Sequence, residues 1–146
     1  LLDPGTPFLE LAPLAAHAVT ERLRRDWDGG DDEELEYAAL MAAAFDSLVA
    51  IGSTGAATRR VVVAAEVDDT DVAVGDDETA VRLTVDVPLA RIQAVHVDDA
   101  DAEADVRAAL EQLPAALAGD GQALGAVSLT DHELLWFATQ EIPDLL

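Results

Sequence analysis

Three histidines and a large surplus of carboxylates are the chemically versatile groups of this 146-residue chain. His96 and Asp98 lie two apart, which on a strand sends both side chains to one face. His132 and Glu133 stand at the start of a predicted closing helix, and His17 completes the histidines. Imidazole with carboxylate is a donor set for manganese, iron or zinc, and an open coordination position would activate water. The candidate metal ligands are therefore His96, Asp98 and His132, with His17 a more remote fourth. Their spacing matches neither HExxH nor a facial triad. Asp98 or Asp99 can equally cap a following helix, and His96 can be an ordinary strand residue. A divalent metal is thus the alternative to no cofactor at all.

Other chemistries fare worse. The chain has no cysteine, which removes thiol catalysis, disulfides and cysteine-based zinc sites. Ser47, Ser53 and Ser128 are its serines, and none sits in a G-x-S-x-G elbow. The Ser53–Thr58 loop lacks lysine and P-loop glycine spacing, and it follows a helix instead of opening one. The acidic turns around Asp68–Asp71 and Gly75–Glu78 lack the ordered spacing of an EF-hand. With 30 acidic residues, any chosen carboxylate pair is uninformative.

Charge points elsewhere. Thirty acids face eight arginines and no lysine, for a formal net charge of −22. Such a chain repels nucleic-acid phosphates and anionic lipid, and a basic protein is the partner it suits. No run of unbroken apolar residues is long enough to predict a membrane span. The expectation is a cytoplasmic, non-enzymatic binding or regulatory domain. The metal-dependent enzyme built on the histidines is the alternative.

The elements that would position these residues read as follows. Residues 1–14 form an irregular lead-in, and the start at Leu1 suggests that an upstream piece precedes it. A short strand over 15–19 and a short helix capped by Thr20 come next. Residues 32–51 form a long helix, capped by Asp31 with Glu34 and ended by Gly52. Strands are predicted over 59–67, 80–87 and 93–97, the second with Val81, Leu83, Val85 and Val87 inward. A helix over 102–117 is interrupted or re-aimed at Pro114, and 123–129 is a last strand. Thr130-Asp131-His132-Glu133 fits a capping box, so 131–141 is a helix ending before Pro143. On it His132, Trp136 and Gln140 fall on one line, and Trp136 with Gln140 is the candidate partner-binding surface.

This order suggests a single α+β domain over 1–146, a mostly antiparallel sheet with helices packed on one face. A ferredoxin-like arrangement is favoured. Ala16-His-Ala-Val-Thr20, Glu33-Glu-Leu-Glu-Tyr-Ala-Ala39, Arg60-Val-Val-Val-Ala-Ala65, Ala94-Val-His-Val-Asp-Asp99, Asp105-Val-Arg-Ala108 and above all Asp131-His-Glu-Leu-Leu-Trp-Phe-Ala-Thr-Gln-Glu-Ile142 resemble a small uncharacterised family of actinobacterial proteins. The resemblance covers nearly the whole chain from Ala15 and implies a short apolar strand upstream of Leu1. It implies no activity and transfers no catalytic residue.

Overall fold

The computed structural model describes residues 8–9, 14–54, 58–75, 77–85, 87–129 and 132–141. Helices and strands are mixed in an α+β fold, as expected. The described strands fall into three sheets, one of two strands and two of three. They do not bear out the finer ferredoxin-like arrangement, which needs one four-stranded sheet. The chain groups into two compact units. The first is Leu1–Ala43, Val63–Ala94 and Ala138–Leu146, and the second is Ala44–Val62 and Val95–Phe137.

In the first unit, β1 (Phe8–Leu9) pairs antiparallel with β6 (Val87–Pro88), within a stretch expected to be irregular. β2 (Leu14–His17) and β4 (Val72–Val74) flank β5 (Ala80–Leu83), both antiparallel, with Ala16 opposite Val81 and Ala73 opposite Arg82. Val81, Leu83 and Val87 are buried, as their alternation demands. Val85 is exposed instead, because the strand ends at Leu83 and the Thr84 N–H turns to the Asp71 carbonyl. Gly75 holds the β4–β5 hairpin close. Its N–H donates to the Ala80 carbonyl at 2.8 Å, and a Cβ there would lie 2.7 Å from that same oxygen.

α1 (Glu21–Asp26) starts where expected, with the Thr20 hydroxyl accepting from the Leu23 N–H. The Thr20 hydroxyl also donates to the Glu78 carbonyl, tying the helix start to the β4–β5 turn. Gly29 takes φ +88, in the left-handed region glycine tolerates, and lets the chain double back. α2 (Asp32–Thr54) then opens on a reciprocal cap. The Glu34 N–H donates to Asp31 Oδ1 at 2.8 Å, and the Asp31 N–H donates to Glu34 Oε2 at 3.3 Å. α2 does not stop at Gly52; it continues to Thr54, where a glycine Cβ position near Leu113 and Leu110 rewards a bare backbone. Its buried line is Leu35, Ala39, Ala44, Leu48 and Ile51, and Tyr37 is exposed. By length and composition alone, Asp32–Ser53 is long and apolar enough to cross a bilayer, though acids interrupt its apolar run.

The second unit buries Leu48 of α2 with Val106, Ala109, Leu113 and Ala116 of α3 (Glu103–Leu117) and Ala123 and Val127 of α4 (Gly121–Val127). α3 runs through Pro114 without interruption. Four residues from its end, the proline withholds a single N–H, and the cap at Ala118 and Gly119 (φ +99) closes the final turn. α4 occupies a stretch read as a strand. Asp120 decides this, because its carboxylate accepts from the Gln122 and Ala123 N–H groups and caps the start of a helix. β3 (Val61–Ala65), β7 (Ile92–Asp98) and β8 (Leu134–Ala138) form the third sheet, with β7 between the other two.

The hairpin makes a test. Gly75→Ala forces a Cβ against the Ala80 carbonyl, and the expected cost is about 1–3 kcal/mol in urea unfolding, the range of overpacked sites. The same change at exposed Gly125, which has open space around it, is expected to be neutral or stabilising.

Candidate functional site

The closing segment is a strand, not the helix its capping box suggested. Thr130 and Asp131 lie outside the described residues, but Leu134–Ala138 is extended as β8 and Thr139–Glu141 is a single 3-10 turn. Leu-Leu-Trp-Phe-Ala is an apolar run of five, too short for periodicity to separate strand from helix, and its aromatics suit a pleated surface. Long-range contacts decide between them. Leu129 turns the chain at φ 50, and the His132 N–H donates to the Leu129 carbonyl. The His132 carbonyl in turn accepts from Arg60 Nη2 at 3.2 Å.

Arg60 is the residue around which this region is built. Its side chain is 2% exposed, and Asp98 at the end of β7 is equally buried. Arg60 Nη2 donates to Asp98 Oδ1 at 2.8 Å, while Arg60 Nε and the Arg60 N–H both donate to Asp98 Oδ2 at 2.8 Å. The Asp98 N–H completes the exchange by donating to the Arg60 carbonyl at 3.1 Å. The pair is a planar fork on a carboxylate, the geometry in which arginine is strongest. Beside it, the Val61 N–H donates to Ser47 Oγ on α2. No buried side-chain N or O atom is left unsatisfied among the described residues.

The four candidate metal ligands can now be placed. Asp98 and His132 do come together, but around the Arg60 guanidinium, which takes the Asp98 carboxylate and the His132 backbone. The His132 ring points elsewhere, with Nε2 2.5 Å from Asp105 Oδ2 on α3. His96, half-buried in the middle of β7, has its pKa pushed down by burial. His17 belongs to the other unit, its Nδ1 2.8 Å from Thr79 Oγ1. Among the described residues no group of three or more histidines, aspartates or glutamates gathers as a metal-binding set.

The two candidate partner-binding residues are both exposed, but the helical line that joined them is gone. Trp136 is 61% exposed on β8 next to Leu135 at 43%. Gln140 lies in the 3-10 turn beyond the strand. Among the described residues β8 has a neighbour, β7, on one side only. At its end the Ala138 N–H donates to Glu141 Oε2 at 2.7 Å. Arg60 escaped sequence reasoning altogether. The one signal was a charged residue abutting the start of an apolar strand, which becomes legible only once Asp98 is known to lie across the ladder.

Taken together this is an α+β protein whose exposed, aromatic β8 is set in place by a buried ion pair. The chain belongs to the family of unknown function DUF6912, which it matches over residues 7–146. No curated protein and no solved structure matches it.

Two measurements check this geometry. Asp98→Asn leaves the Arg60 guanidinium buried without its counter-charge, and the expected loss is about 3–5 kcal/mol of unfolding free energy. The double change Arg60→Met with Asp98→Leu is expected to recover most of it, because neither charge then has to be desolvated. The second concerns pH. The folded pKa of His96 lies below its unfolded value of 6.5, so its contribution to stability is fully present above 6.5 and is lost as pH falls below it. Melting temperature is therefore expected to drop less between pH 7 and 5 in His96→Gln than in the parent chain.

Proposed function

We propose that this protein is a non-enzymatic binding module that receives an extended, basic segment of a protein partner along β8. The observation that carries the reading is Trp136, a large aromatic left exposed beside Leu135 on a strand with one free side among the described residues. An isolated exposed leucine needs no explanation, but an exposed indole on a strand with one strand neighbour among the described residues suits strand addition. Tryptophan is also among the residues that most often dominate binding energy. The net charge of −22 supports a basic partner, because it speeds encounter with cations and repels phosphate backbones. At physiological salt that field fades over about 8 Å, so recognition rests on contact at the strand and steering on the charge.

The test uses a decapeptide of alternating arginine and valine, with a glutamate–valine decapeptide as its control. Binding is followed by hydrogen exchange of the amides of Leu134–Ala138 and by titration calorimetry. The arginine peptide is expected to slow exchange in β8 and to bind more weakly as salt rises. Trp136→Ala is expected to cost about 2 kcal/mol of that affinity. Equal binding of the two peptides, or protection confined to other strands, would remove the basis for the proposal.

A further inference from the structure

A second aromatic lies exposed in the other unit, and its surroundings are more specific. Trp27 closes α1, with its N–H on the Leu23 carbonyl and its own carbonyl accepting from Gly30. Its indole is 45% exposed and shares in two adjoining clefts. One, of about 440 Å³, is walled by Leu23 and Ala38 and rimmed by Arg22, Asp77 and Glu78. The other, of about 420 Å³, is rimmed by Asp26, Asp28 and Glu34. Five carboxylates thus surround one indole, against the single cation Arg22, which itself lies 3.8 Å from Asp26.

The walls are held firmly. Thr20 ties α1 to the Glu78 carbonyl, and Asp31 with Glu34 locks the start of α2. Asp77 Oδ1 accepts from the Ala80 N–H at 2.6 Å and the Thr79 N–H at 2.9 Å, which fixes the turn. These bonds, led by that from Ala80, hold the Asp77 carboxyl below its usual range despite the opposing effect of burial, so the rim stays anionic.

We propose that the two clefts lined by Trp27 form a binding site for a guanidinium group, carried by an arginine side chain of a partner. A flat indole attracts a cation over its face, and guanidinium stacks there while its fork of N–H donors reaches carboxylates at the rim. A compact, strongly hydrated ammonium lacks both the plane and the fork. A neutral or anionic ligand gains nothing from five carboxylates. The site shares no residue with β8 and does not depend on the reading given for that strand.

The experiment follows the two indole N–H cross-peaks of the whole 15N-labelled chain, assigned with Trp27→Phe and Trp136→Phe. N-acetyl-arginine methylamide is titrated, with the lysine and citrulline counterparts as controls; citrulline keeps the shape and loses the charge. The Trp27 cross-peak is expected to shift saturably with the arginine compound, less with lysine and not with citrulline. Glu78→Gln and Asp28→Asn are each expected to weaken binding about threefold, as exposed charge contacts do. The Trp136 cross-peak reports in the same spectra that each variant is folded. A Trp27 cross-peak that stays still, responds equally to citrulline, or favours lysine overturns the proposal.

Discussion

A guanidinium with 2% of its surface exposed cannot stand alone in a protein interior. Arg60 lives there because Asp98 meets it with both carboxylate oxygens and the His132 carbonyl takes a further N–H. Three separate stretches of chain are thereby specified together: the entry to β3, the exit of β7 and the turn before β8. Apolar packing is tolerant of small sliding, whereas a forked ion pair is satisfied in one alignment only. The pair is weak evidence for net stability, since desolvation offsets much of the attraction. Its contribution is to register, placing β8 so that Trp136 comes out exposed.

What could be read along the chain was what is decided locally. The Thr20 cap, the reciprocal Asp31–Glu34 cap and the inward alternation of Val81 and Leu83 all involve residues within four positions. The α+β class followed from such pieces, though their assembly into three sheets did not.

The failures have a common cause too. At 134–138 a plausible helix start competed with a ladder neighbour, β7, that lies far away in sequence, and the neighbour won. At 121–127 the deciding signal is local instead, the Asp120 carboxylate capping the Gln122 and Ala123 N–H groups. The buried pair was hidden, like the β7 neighbour, by separation along the chain. Asp98 was named as a candidate metal ligand, and in the structure its carboxylate meets Arg60, 38 residues earlier. The His132 backbone carbonyl joins it on the same guanidinium.

The ion pairs of this chain differ in how they answer to the medium. Arg22–Asp26, Arg24–Asp32, Arg91–Asp68 and Arg107–Glu103 all lie in contact with solvent, where dissolved ions compete with them. Arg60 and Asp98 are sealed from those ions, while the mutual repulsion of thirty acids at the surface is not. Concentrated brine therefore relaxes what pushes this molecule apart and leaves its central clasp untouched, so the setting of β8 is the feature that persists from dilute buffer to strong electrolyte.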